Sequence, residues 1–133
     1  MNPDLHLQTL QESFETLREC VDIGIEKKQR TIGFHTSLAS VEMLELYLHK
    51  IGVLSLSARL NHAWMKSQKK IKDKITHDFP RKEEIIQLIY YIEKNRDALC
   101  YGKLTDRAKI REQLDYFYRL VDAFKEVGLS EIP

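Results

Sequence analysis

Cysteine is scarce in this chain: Cys20 and Cys100 are the only two in 133 residues, and neither has a CxxC partner. That spacing excludes a disulfide framework and a thiolate zinc site, and it fits a reducing compartment. Long apolar runs are missing as well. None approaches the roughly 18 to 20 residues a membrane span needs, and the start, Met1-Asn2-Pro3-Asp4, lacks the basic and apolar regions of a signal peptide. A cytoplasmic protein without a membrane partner is therefore expected. An excess of charge of either sign is also absent. Twenty-one Lys and Arg against 20 Asp and Glu leave a net charge of +1, which withholds the strongly basic field of a duplex-binding protein, so any nucleic-acid contact must be local. The one basic concentration, Lys66, Lys69, Lys70, Lys72 and Lys74, is interrupted by Asp73 and interleaved with Ile71 and Ile75. It reads as a solvated helix face, with an RNA-contacting face as the alternative. No phosphate-cradling glycine loop, nucleophile elbow or HExxH motif occurs. Sustained strand alternation, internal repeats and low-complexity segments are likewise missing.

What is present is an ordinary globular mixture, 43% hydrophobic and 31% charged, in a chain of the length of one domain. Residues 1–133 are expected to form a single domain around one hydrophobic core. Leu10, Phe14, Leu17 and Val21 recur in steps of four and three, the stripe of an amphipathic helix running from about Pro3 to Arg30. After a break expected near Gly33, Leu38, Val41, Leu44, Leu48 and Ile51 mark a second helix stopping at Gly52. Met43, Leu46 and Tyr47 make its other faces apolar too, as in a central or interface helix. A third helix is expected from Leu56, Leu60, Trp64, Ile71 and Ile75, capped by Ser55 or Ser57 and ending before Phe79-Pro80. The fourth begins after Pro80 and ends at Gly102. The fifth runs from Thr105 or Asp106 through Ile110, Leu114, Phe117, Val121 and Phe124 to Gly128. Short connections between long helices imply an all-α, up-and-down antiparallel bundle of about five helices.

The fourth helix breaks a local rule. Steps of four and three from Ile85 through Ile89 and Ile92 reach Arg96 and Leu99, so a guanidinium falls on the apolar stripe. A buried arginine is costly unless paired, and Glu93 or a carboxylate of a neighbouring helix is the expected partner. Either Arg96 packs its stem while its head reaches water or the last carbonyls, or it is held in a cleft or dimer seam to meet phosphate.

The run Glu93-Lys94-Asn95-Arg96-Asp97-Ala98-Leu99-Cys100-Tyr101-Gly102, followed by a final helix, resembles the signature of HEPN domains. These are small helical bundles of nucleotide- and RNA-associated systems, in which an arginine and a polar residue precede a histidine by four to six positions. The resemblance implies a HEPN-like homodimer that uses no cofactor. Its expected ligands are a nucleotide or RNA, and its expected protein partner is a nucleotidyltransferase. Active members are metal-independent ribonucleases or toxins. Arg96 and Asp97 carry over as motif positions. Tyr101 stands where the histidine would be, and a tyrosine hydroxyl, with an ordinary pKa of about 10, is a poor general base near neutral pH. Arg96, Asp97 and Tyr101 are thus the candidate catalytic or binding positions.

Other histidines are candidates to replace the missing one. Arg30-Thr31-Ile32-Gly33-Phe34-His35 has the arginine-to-histidine spacing, but across the expected Gly33 break it reads as chance. His35, Glu42 and His49 repeat every seven residues on one face of the second helix. Seven residues rise roughly 10.5 Å, too far for any two of them to share one metal ion, so no metal site is expected from them. Glu45 and His49, four apart, are close enough to touch, and a polar hydrogen-bonded seam is the expected role of this set. His35, His49 or His62 from the third helix would have to approach Arg96, with Glu93 beside it, to supply a base. Cys100 shares a helical face with Arg96 and is expected to be buried and inert. Three functions follow: a non-catalytic binding module that dimerises through its apolar second or fourth helix, a ribonuclease with a substituted base, or a purely structural oligomer.

Overall fold

The computed structural model describes residues 3–55 and 58–133. Among them are the helices α1 (Pro3–Ile23), α2 (Gln29–Lys50), α3 (Gln68–Lys74), α4 (Lys82–Tyr101) and α5 (Arg107–Glu126), and no strand. None of these helices is long and apolar enough to cross a membrane.

Side-chain pairs fix the helix directions. His6 meets Glu42 and Ser13 meets His35, so α1 and α2 are antiparallel. Ser37 meets Glu93 while Gln29 reaches the carbonyl of Leu99, so α2 and α4 are antiparallel too. Arg81, just ahead of α4, pairs with Glu126 at the far end of α5, whereas Gln113 donates to the carbonyl of Ile92. The four long helices therefore run up, down, up, down, as their short connections imply. The apolar stripes meet in one core around Leu10, Met43, Leu44, Ile89, Phe117 and Phe124, all fully buried. Tyr47 packs its ring on Phe79 and Phe124, at centroid distances of 5.2 and 5.8 Å.

α2 is the central helix. From Thr36 to His49 every residue except Leu38 is buried, enclosed by α1, α4 and α5 of the same chain. Over this stretch its apolar faces are covered within one molecule, so they do not call for a second copy. Its buried hydroxyls find partners locally: Thr36 donates to the carbonyl of Ile32 at 2.7 Å and accepts from Gln113 at 3.1 Å.

The break between the first two helices lies at Gly24, not Gly33. Gly24 has φ 128°, outside the range L side chains readily adopt. A 3-10 turn at Ile25–Lys27 follows, and α2 starts at Gln29. Gly33 is inside α2 for a different reason. A Cβ placed there would lie 2.7 Å from Leu99 Cβ and 3.2 Å from Cys100 Sγ, so its missing side chain lets α2 and α4 approach closely. Arg30 consequently belongs to α2, where its guanidinium donates to the carbonyls of Cys100 and Gly102 at 2.9 and 3.1 Å and closes the end of α4.

The third helix is shorter than its apolar pattern suggests. Leu56 and Ser57 lie outside the described residues, and Ser55 precedes no helix. In place of one long helix stand a 3-10 segment, His62–Lys66, and α3. Asn61 accepts from Ala63 N at 2.8 Å and Ser67 from Lys70 N at 3.3 Å, so two caps divide the stretch. The N–H of Leu60 donates to the Glu45 carboxylate at 2.6 Å, which takes it out of any helical ladder. The last two helices follow the sequence closely: α4 ends at Tyr101 before Gly102, and Asp106 caps α5 by accepting from Lys109 N at 3.0 Å.

Candidate functional site

Two histidine–carboxylate clusters are built on α2, and the 58–66 stretch covers both. The first belongs to the α4 motif. Glu93, fully buried, accepts from Ser37 Oγ at 2.7 Å and from His62 Nδ1 at 2.9 Å through the same oxygen, Oε1, and its Oε2 is buried without a partner. The buried charge on the stripe of α4 is thus Glu93, and its partners come from α2 and the 3-10 segment, not from Arg96 as expected. One turn along, Lys66 of the same 3-10 segment pairs with Asp97 at 2.8 Å. This contact lowers the Asp97 pKa from its ordinary value, chiefly through the hydrogen bond from Lys66.

Arg96 stands between these pairs. Its side chain is 24% exposed and reaches Asp97 Oδ1 at 3.5 Å. On either side of it along α4, Glu93 meets Ser37 and Cys100 meets Gly33 and Arg30, all on α2. The stem therefore lies beside the α2–α4 contact while the side chain keeps partial exposure, which agrees with the reading in which the stem packs and the head reaches water. Tyr101 is 76% exposed, and Phe34 and Leu104 are exposed at the same end of the bundle. Cys100 is half-buried; burial pushes its thiol above the usual range, and the Arg96 guanidinium only partly offsets this. The lysines of the basic stretch are all exposed, and Lys74 covers the Trp64 ring at 4.9 Å.

Of the three histidines considered as partners for the motif, His62 alone bonds to it. His35 instead meets Ser13 of α1 at 3.0 Å and sets its ring edge against Phe34, and burial lowers its pKa. His49 donates from Nδ1 to the carbonyl of Leu54 at 3.0 Å.

The second cluster gathers His6 of α1 with Glu42, Glu45 and His49 of α2, all buried. His6 Nδ1 is hydrogen-bonded to Glu42 Oε2 and lies 3.9 Å from Glu45 Oε2. The rings of His6 and His49 are 5.3 Å apart. Arg59, 54% exposed, covers the carboxylates from outside, at 3.4 Å from Glu42 and 3.2 Å from Glu45 Oε2. The latter contact lacks hydrogen-bond geometry, and Glu45 Oε2, His6 Nε2 and His49 Nε2 are buried polar atoms without a hydrogen-bond partner. One ligand atom from each of His6, Glu42 and Glu45 lies within 4.8 Å of the others, the one such group of three among the described residues.

The seam expected from His35, Glu42 and His49 is thus split, with His35 facing Ser13 and the other two facing His6. Glu45 and His49 do not bond to each other; Leu60 and Leu54 take them. Sequence reasoning missed His6 and Arg59. His6 lies four residues before Leu10, on the extension of the α1 stripe, and a histidine on an apolar stripe is the signal that identifies it. Arg59 sits in an irregular segment with no periodicity to place it. Comparison with protein families, with curated proteins and with solved structures finds no match for this chain.

Proposed function

We propose that the chain is a HEPN-like module that binds a phosphate-bearing ligand, a nucleotide or an RNA strand, at the α4 edge carrying Arg96, Asp97 and Tyr101. The observation that carries this reading is the loose engagement of Arg96. Among the described residues its guanidinium meets one acceptor, Asp97, at 3.5 Å, and Lys66 holds that carboxylate more closely. A planar, weakly hydrated cation with partial exposure, with Lys66 on the other side of Asp97, suits bidentate phosphate recognition. Tyr101 offers an exposed ring on which a base can stack. Phe34, Tyr101 and Leu104 give this end an apolar character suited to a second copy of the chain, and a homodimer with this face at its seam is part of the proposal. By the same resemblance, a nucleotidyltransferase is the protein partner this edge would serve.

Anisotropy titrations of a labelled single-stranded RNA and of nucleoside triphosphates, repeated across a salt series, test it. Arg96→Ala and Tyr101→Ala are each expected to weaken binding by about 1–3 kcal/mol. Wild-type protein that binds neither probe, or variants that bind as wild type does, would sink the reading. Sedimentation velocity reads the dimer.

A second reading, metal-independent endoribonuclease, is favoured by His62. With Nδ1 donating to Glu93, three residues before Arg96 on α4, its ring leaves Nε2 to act as a proton acceptor in this reading. In this reading His62 takes the role that Tyr101 fills poorly. Chelator-resistant RNA cleavage that disappears in His62→Ala and in Arg96→Ala would establish it; absence of cleavage leaves the binding module.

A further inference from the structure

We propose that His6, Glu42, Glu45 and His49 form a binding site for a divalent first-row transition ion such as zinc. Both imidazoles are oriented as metal-ligating histidines are. Each has Nδ1 held by an oxygen, the Glu42 carboxylate for His6 and the Leu54 carbonyl for His49, which leaves the Nε2 lone pairs free. Both Nε2 atoms are buried without partners, on rings 5.3 Å apart, and Glu45 Oε2 beside them accepts no hydrogen bond, with the Arg59 guanidinium 3.2 Å away. Two orphaned ring nitrogens beside a buried carboxylate oxygen that accepts no hydrogen bond are costly, and an ion shared among the three would relieve that cost.

The geometry matches the chemistry. His6, Glu42 and Glu45 each bring one ligand atom within 4.8 Å of the others, and the His49 ring lies 5.3 Å from that of His6, so side-chain shifts bring ligand atoms to about 2.0–2.2 Å from an ion. Two imidazoles with the Glu45 carboxylate, and Glu42 behind His6, select zinc and its first-row neighbours over magnesium or calcium, which prefer all-oxygen sets. A divalent ion also balances the two carboxylates. Arg59, on the irregular stretch that covers the cluster, is the cation facing them from outside. Glu42 and His49 stay too far apart along α2 to share an ion; Glu42 instead orients His6 through Nδ1, and His6 from α1 sets its ring against His49, so that His6 Nε2, Glu45 Oε2 and His49 Nε2 are the ligand atoms.

The full chain, stripped with chelator and dialysed against zinc or cobalt, is measured by elemental analysis, cobalt visible absorption and thermal melting. One equivalent per chain, a raised Tm and a low-symmetry cobalt spectrum are expected. Glu45→Gln and His6→Gln should abolish stoichiometric binding, and His49→Gln should weaken it by about tenfold or more. Arg59→Met leaves every ligand in place, and should bind as tightly as wild type or more so. Wild-type protein that takes up no metal overturns the proposal whether or not the ligand variants fold. Uptake unchanged in Glu45→Gln and His6→Gln overturns it as well, since the metal would then sit on surface groups.

Discussion

Replacing Gly33 by alanine distinguishes two roles for one residue. A glycine that breaks a helix is improved by any helix former at a compatible angle, whereas a glycine that lets two helices touch is harmed by a single methyl. Within α2, alanine gains about 0.5–1 kcal/mol of backbone propensity over glycine. Against this, the new Cβ would lie 2.7 Å from Leu99 Cβ and 3.2 Å from Cys100 Sγ. Leu99 is buried, so neither helix yields without moving its neighbours, and overpacking of this kind costs about 1–3 kcal/mol. The contact should win, leaving a net loss of about 1–2 kcal/mol. For a domain of this size that lowers Tm by roughly 3–10 °C. Urea unfolding monitored by circular dichroism measures it, with the midpoint reduced and the slope unchanged, since the exposed area is the same. A Gly33→Ala protein as stable as wild type, or more so, would refute the close α2–α4 approach and with it the placement of Arg96 beside that contact.

Other perturbations probe the remaining layers. Glu93→Ala removes the acceptor shared by Ser37 and His62 in a buried position and should cost about 2–4 kcal/mol, while Glu93→Gln, which keeps an acceptor oxygen, should cost about half as much by urea titration. Burial lowers the His35 pKa, so the unfolded chain binds the extra proton: stability is complete above the unfolded value of about 6.5 and falls as pH drops toward the folded one. Because His35 is only half-buried, the slope should be a fraction of the roughly 1.4 kcal/mol per pH unit of a full proton, and His35→Gln should flatten it in melts between pH 5 and 7. Asp106→Ala should lower stability by about 1 kcal/mol, because the N–H of Lys109 loses its cap.

Local physics carries the sequence a long way. Apolar steps of four and three, Pro80 before α4, Gly102 after it and Asp106 at the head of α5 each act within a turn or two of their own position, so the helical bundle and the limits of its last two helices were readable without coordinates. Where a feature had two local explanations the reading failed, as at Gly33, whose missing side chain serves a residue 66 positions away. The 58–66 stretch failed for a related reason, since Leu60 gives its N–H to Glu45 and so leaves the helix its apolar spacing suggested. Arg96 was legible as a charge out of place with a head that reaches water as one of its two readings, but the degree of its exposure depends on how closely α2 approaches. The two clusters lay further still beyond the sequence. His62 with Glu93, and His6 with Glu42 and Glu45, are joined only by the register of one helix against another element. Periodicity determines which face of a helix is buried; the packing of whole faces determines which polar groups on those faces meet, and that is where the chemistry of this chain was decided.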